Sequence, residues 1–244
     1  MPSERQQYYY EILSILEDKA EPVGSGLLRQ LLTARGVEIS EATVGRVLSE
    51  MDNKDLTQRL GFQGRVITSS GKQKLEEMRS FQHRQTYGNR FLKTLDSKKK
   101  EDLIDILVAR RAIERELARL AAEHATEGEI RLMESVCQEQ EKYIAIKRIT
   151  AEQDVRFHEL VALSARNKVL TAALDLIRHD GQLSPTLEYI RTTVGGKLAI
   201  GHSKILEAIK QRDPEKAEQA MVQHIESLIE DVQKFWTMDN DNNQ

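Results

Sequence analysis

Apolar residues recur at helical spacing through most of the chain, and one short interval breaks that rhythm. Tyr8, Ile12, Leu13 and Leu16 mark a first helix over 7–19, which Pro22 and Gly24 bring to an end. The run G-L-L-R-Q-L-L-T-A-R gives a second helix, with Gly36 placed as a C-cap glycine. Ser40 can cap a third helix, Glu41 favours its positive end, and Ile39 and Val44 occupy the positions of a hydrophobic staple. The period then drops to two: L-T-Q-R-L and R-V-I-T-S-S flank G-F-Q-G, whose glycines suit a tight hairpin. Three helices and a hairpin predict a winged helix-turn-helix over 1–79.

Residues 80–100 are polar and mostly helix-compatible, with Gly88 and Asn89 as the weak point, so the domain connection is expected there. Beyond it the patterning is all helical, predicting helices near 101–125, 127–147, 150–165, 167–191, 198–211 and 214–237. Thr126, Asn167, Gly195-Gly196 and Asp213-Pro214 mark boundaries between them. The fold class is therefore mainly α: a winged helix, then an antiparallel all-helical bundle of about six members over 101–237, with a frayed tail at 238–244.

Composition narrows the function classes. A net charge of −3 over 244 residues means that any nucleic-acid contact must come from a local patch. The single cysteine, Cys137, excludes an intramolecular disulfide, fits a reducing compartment, and lies in register with Met133 and Val136 as a buried, inert thiol. With no secretory h-region and no run long enough to span a membrane, a cytoplasmic protein is expected.

In a helix-turn-helix the third helix enters the major groove with its N-terminal residues at the base edges. Val44, Val47, Leu48 and Met51 form its apolar face, which turns Thr43 and Arg46 outward. Threonine can touch a thymine methyl and arginine can grip guanine bidentately, so these two are the base-reading candidates on double-stranded operator DNA. Arg59, Gln63 and Arg65 on the hairpin are placed for phosphate or the minor groove.

The bundle carries a second chemistry. On the helix over 150–165 the apolar stripe runs through 154, 157/158, 161 and 165, so Asp154 and His158 both point inward. His202 sits on the stripe with Ile205/Leu206 and Ile209, and His224 on the stripe with Met221, Ile225 and Leu228. A buried carboxylate is costly unless paired, three imidazoles cannot all satisfy one another, and a divalent cation resolves both problems. Zinc leads the candidates, with nickel, manganese and iron also compatible, and three nitrogens with one oxygen leave coordination positions open on a metal that takes five or six ligands. Arg110 occupies the seam between Leu103/Leu107 and Ile113/Leu117 and needs an anion: Glu114 one turn on, or a bound carboxylate ligand.

The runs V-A-R-R-A-I-E-R-E-L-A-R-L-A-A, D-V-R-F-H-E-L-V-A-L-S-A-R-N and G-H-S-K-I-L-E-A-I-K-Q-R-D-P-E-K-A-E-Q-A-M-V-Q-H-I resemble the FCD domain, the C-terminal ligand-binding domain of the FadR subfamily of GntR-type transcription regulators. The resemblance implies a metal held by Asp154, His158, His202 and His224. It also implies a small organic-acid effector near Arg110 and Asn167, and a homodimer whose DNA affinity the effector changes. At the N-terminus S-E-A-T-V-G-R stands where GntR proteins carry their recognition segment, and P-S-E-R falls at Pro2 to Arg5. This half looks more like the winged helix of RNase R and of the archaeal nitrogen regulator NrpR. A ligand-responsive transcription regulator is thus the expected function, not an enzyme. The rivals are a metalloenzyme using the same Asp and His residues and a metal sensor with closed coordination. Against the metalloenzyme, H-E-L-V-A at His158 is not a zincin motif, and Glu159 points off the seam.

Overall fold

The computed structural model describes residues 3–95, 99–178, 183–196 and 200–242. It divides into two compact units, Met1–Asn89 and Arg90–Gln244. The first unit contains α1 (Glu4–Lys19), α2 (Ser25–Ala34), α3 (Glu41–Asn53), β1 (Thr57–Leu60) and β2 (Gly64–Ile67), and α4 (Ser69–Leu95) begins within it. α1 starts earlier than apolar spacing predicts because its first turn is fixed by polar groups. Ser3 Oγ accepts the Gln6 N–H at 3.3 Å, and the Ser3 N–H donates to Gln6 Oε1 at 2.9 Å, a reciprocal capping box. α3 begins where Ser40 places it, with Ser40 Oγ accepting the Thr43 N–H at 3.2 Å. β1 and β2 pair antiparallel, Thr57 opposite Ile67 and Leu60 opposite Gly64. Val23 extends this ladder by exchanging two backbone hydrogen bonds with Arg65, at 2.9 and 3.0 Å. β2 stops at Ile67 rather than running through the serines, because Thr68 Oγ1 accepts the Gly71 N–H at 2.9 Å and helps open α4. Ile12, Leu16, Leu28, Leu48, Met51 and Leu75 close the core of this unit.

The second unit contains α5 (Lys100–His124), α6 (Glu127–Ala145), α7 (Ala151–Ser164), α8 (Lys168–Arg178), α9 (Leu183–Thr193), α10 (Ile200–Lys210) and α11 (Pro214–Asn242). α5 packs against α7, α8, α10 and α11, and Leu107, Ala118, Phe157, Ile205, Met221 and Ile225 lie in its core. Burial, followed by the charges of Glu141 and Glu134, pushes the Cys137 thiol up to about 12, which leaves it protonated and inert.

Several expected boundaries are corrected. Of the helix expected over 167–191, the described residues form α8 and α9, and residues 179–182 between them, His179 included, lie outside the described residues. α11 continues to Asn242 instead of fraying from 238. Through 80–95, where the connection is expected, the chain is helical as part of α4, and the division between units falls directly after Asn89. Residues 96–98 of that connection, 198 and 199 of the expected penultimate helix, and 243–244 of the tail lie outside the described residues. Among the described residues no helix is long and apolar enough to cross a membrane.

Gly64, like Gly71 against the Leu56 carbonyl, is a position of this first unit where a side chain would meet backbone. Its φ is 126°, and a Cβ there would collide with the Val23 and Gly24 backbone. Gly61, at φ 53°, has open space around it. Gly64→Ala should destabilise the first unit by about 2–3 kcal/mol and Gly61→Ala by only about 1 kcal/mol. Scanning calorimetry of the full chain would read both; equal losses would mean that the Val23 backbone moves aside freely.

Candidate metal centre

Three helices of the bundle bring four ligand-type side chains to one place. α7 presents Asp154 and His158 one turn apart, α10 presents His202, and α11 presents His224. One atom from each lies within 4.8 Å of the other three. His158 is fully buried, His202 and His224 nearly so, and Asp154 is partly buried. The Nε2 atoms of His158 and His202 face the same carboxylate oxygen, Asp154 Oδ1, at 3.6 and 3.3 Å. Neighbouring ligands on an ion with bonds of about 2.1 Å stand about 3.0–3.4 Å apart, so the side chains need move little to share one.

The surrounding residues fix which nitrogens face the centre. His202 Nδ1 lies 2.8 Å from Gln140 Oε1 on α6, an acceptor only, so Nδ1 carries the proton and Nε2 offers its lone pair inward. His158 Nδ1 contacts Glu114 Oε2 on α5, which sets the same tautomer by a carboxylate. Phe157 stacks on the His202 ring, centroids 4.3 Å apart and planes 19° from parallel, and holds its orientation. Both ring nitrogens of His224, and the Nε2 atoms of His158 and His202, are buried with no hydrogen-bond partner among the described residues. Buried polar atoms left in this way cost about 1–3 kcal/mol each, which is the signature of a group that awaits a ligand. Three imidazole lone pairs and one carboxylate oxygen fit a divalent transition metal.

Protonation agrees with this role. Burial, reinforced by the charges of its neighbouring histidines, holds the His224 imidazolium well below its ordinary range. Burial pushes His158 down to about 4 despite the opposing pull of Glu114. Both rings are therefore neutral near pH 7 and able to donate lone pairs. Burial would raise the Asp154 carboxyl, but the Arg178 guanidinium and then the two facing histidines hold it well below the usual carboxylate range. Glu114 behaves alike: Arg110, His158 and Arg178 outweigh its burial and keep it ionised.

Arg110 and Glu114 are both buried, with Arg110 Nε donating to Glu114 Oε1 at 2.7 Å. The sequence left two partners open for this guanidinium, and the geometry leaves room for both, because Nη1 and Nη2 remain without a partner among the described residues. Arg110, Asp154 and His224 line a narrow cavity of about 30 Å³, together with Gln140, Ser184 and Glu188. Space of that size holds about one water, so a larger ligand must displace part of the wall. Asn167 is not among the lining residues: its Oδ1 accepts the N–H groups of Val169 and Leu170, both at 3.2 Å, and caps α8. Glu159 is exposed.

Arg178 is the residue whose orientation sequence reasoning does not place. From α8 it donates to Asp154 Oδ2 at 2.7 Å and reaches Ser184 Oγ at 3.3 Å, which turns Oδ1 toward the histidines. Its only sequence signal was a place near the Leu174/Ile177 stripe, a phase obscured while α8 and α9 were taken as one helix. Gln140 could have been found, since it follows Met133, Val136 and Cys137 on the buried face of α6.

In the first unit Thr43 caps against Ser40 and receives a hydrogen bond from Arg46 Nη2 at 3.2 Å, and Arg46 is exposed. Arg59 and Gln63 are exposed on the hairpin. Arg65 is paired with Asp52 of α3 at 2.8 Å and so ties the wing to the third helix.

Two substitutions probe the centre. Arg178→Met should lower affinity for a transition metal by about 10–100-fold, the usual effect of removing an outer partner, in competition with a chelator. Unchanged affinity would mean that Asp154 is positioned without it. A Cβ on Gly201 would overlap His224 Nδ1, so Gly201→Ala should displace that ring and give a comparable loss with helix content retained; an ion held as tightly as in the parent would remove His224 from the ligand set.

The comparisons with known proteins agree with the division of the chain. Residues 105–227 match the FCD domain, and residues 10–75 match the ribonuclease R winged-helix domain. Over 127 residues the chain is 31% identical to the Exu regulon transcriptional regulator of Escherichia coli, covering 50% of this chain and 48% of that protein. Over 88 residues it is 38% identical to the global nitrogen regulator NrpR of Methanocaldococcus jannaschii, covering 36% of this chain and 16% of that protein. The chain thus spans about half, or less, of the length of these curated relatives. A solved structure of a GntR family transcriptional regulator from Pseudomonas syringae aligns over 100% of this chain and 91% of its own, at 14% identity and a TM-score of 0.48, a likeness too weak to carry any inference. With half of its length matched to that domain, the chain belongs to the FCD domain family, here preceded by a winged helix of the ribonuclease R type.

Proposed function

We propose that this protein is a ligand-responsive transcription regulator: the winged helix binds operator DNA as part of a homodimer, and a small organic acid bound in the helical unit modulates that binding. The observation that carries the reading is the cavity, lined by Asp154 and His224 of the four-ligand cluster and by Arg110, whose Nη1 and Nη2 have no partner among the described residues. Relatives that are themselves named as a transcriptional regulator and as a global nitrogen regulator support it.

In this reading Asp154, His158, His202 and His224 hold a divalent ion, zinc first among the candidates, and the ion supplies positive charge and open positions for a carboxylate oxygen. Arg110 Nη1 and Nη2 donate in parallel to the same carboxylate, the fork geometry for which arginine is suited. Glu114 holds that fork still through Nε. On the DNA side Arg46 and Thr43 meet base edges, while Arg59 and Gln63 reach the backbone from the wing. Arg65 contributes by keeping β2 against α3 through Asp52. A useful switch needs about 1–3 kcal/mol of coupling between acid and DNA.

Fluorescence anisotropy of labelled DNA from upstream of the protein's own gene, at fixed salt and with a panel of small carboxylic acids, tests the reading. Arg46→Ala should weaken specific binding by about 1–3 kcal/mol. The double variant His202→Ala plus His224→Ala should retain DNA binding and lose its response to acids. Specific binding that no acid shifts, in protein with its metal confirmed by elemental analysis, would sink the effector half of the proposal. Binding no tighter than to random DNA would sink the operator half.

A further inference from the structure

One face of α9 lines the cavity: Ser184, Leu187, Glu188 and Arg191 recur at helical spacing along it. Among these Glu188 stands out for its charge. Its carboxylate accepts the Thr150 N–H, at 2.8 Å to one oxygen and 3.0 Å to the other, and its Oε1 lies 3.3 Å from the Thr150 hydroxyl. One residue's donors occupy only part of a carboxylate's roughly four acceptor sites. Among the described residues no cation pairs with it, whereas Arg191 is taken up by Asp231 and Ser227.

The charges around the cavity can then be counted. Arg110 with Glu114, Arg178 with Asp154, and Arg191 with Asp231 each sum to zero, and Glu188 adds −1. A divalent cation at the four ligand atoms brings the total to +2 − 1 = +1. One carboxylate neutralises it. A second carboxylate on the same small molecule would leave a net negative charge in a narrow space, close to Glu188, where like charges are costly. A hydroxyl in that position would instead donate to the free acceptor sites of Glu188.

We infer that Glu188 is a specificity residue, which makes the centre select small monocarboxylates that carry a hydroxyl away from their carboxylate and reject dicarboxylates of equal size. This rests on the acid-binding reading proposed above. The tight volume of about 30 Å³ favours ligands of few heavy atoms, so the discrimination acts at short range.

Isothermal titration of the metal-loaded full-length protein with glycerate, propionate and malonate, all three-carbon acids, separates the possibilities. Glycerate should bind at least about tenfold more tightly than malonate or propionate. Glu188→Gln keeps an acceptor for the Thr150 N–H and removes only the charge. It should bind malonate about tenfold more tightly than the parent does, with metal content unchanged. Glu188→Asp, which keeps the charge, should still reject malonate. If Glu188→Gln leaves the ratio of glycerate to malonate unchanged, or if malonate already binds the parent as well as glycerate does, Glu188 is not the selector although acid binding stands. If none of the three acids binds the parent protein or Glu188→Gln, both the selector and the acid-binding reading fall together.

Discussion

The constraint on which the helical unit depends is the burial of several charged and polar groups in one place. Glu114 is their hub: it accepts from Arg110 Nε, contacts His158 Nδ1, and lies 3.9 Å from Arg178 Nη1. Those contacts join α5, α7 and α8 through ionic groups where an ordinary bundle would use leucine. Taking ions out of water costs several kcal/mol apiece, and the mutual attraction offsets this only while every partner is present. The apolar core around Phe157, Ile205 and Met221 supplies the bulk of the driving force, and the ionic cluster dictates which arrangement of helices that force is allowed to stabilise.

How much of this was legible in the sequence follows from the kind of signal each part leaves. Asp154, His158, His202 and His224 interrupt otherwise apolar stripes, and polar residues on an apolar phase stand out wherever the helix is continuous and its register unambiguous. Arg178 and Glu188 sit on two helices that periodicity merged into one across 179–182, so their phases could not be assigned. Asn167 was read from the pattern as a helix boundary and placed at the effector through resemblance alone, and its side chain is committed to the first turn of α8. Periodicity finds what a helix buries; it does not say which of two buried groups meet across helices. Glu114 was accordingly visible as the neighbour of Arg110 and invisible as the neighbour of His158.

In the winged unit the legible signals were of another type. Ser40, Gly36 and the glycines of G-F-Q-G are local backbone devices, and each acts within a few residues, so the sequence alone could place them. What escaped was non-local. Val23 joins the β ladder from a loop between helices, and Gly64 must be glycine because the Val23 backbone crosses it, a contact more than forty positions away. Arg65 illustrates the cost of reading charge without geometry. It looked like a wing cation free for phosphate, and it faces Asp52, so part of the positive field expected at the wing is neutralised within the fold.

The same reasoning explains why an ion and an acid would act on the helical unit as a pair. The inward-facing imidazole nitrogens and the free ends of Arg110 are opposite halves of one problem, lone pairs without a cation and donors without an anion. A metal alone satisfies the first half and adds two positive charges beside a guanidinium, which sharpens the second. An anion alone satisfies Arg110 but brings a carboxylate close to that of Asp154. Each therefore lowers the cost of holding the other, and by linkage each must raise the other's affinity by the same factor. His224 is where that coupling is most exposed to change. It reaches the centre from α11 and has no second partner to hold its ring, only the bare backbone of Gly201 against one side. A ring fixed by packing would move with the helix that carries it, and α11 packs along α10, so a ligand on the centre would act on the contact between those two helices.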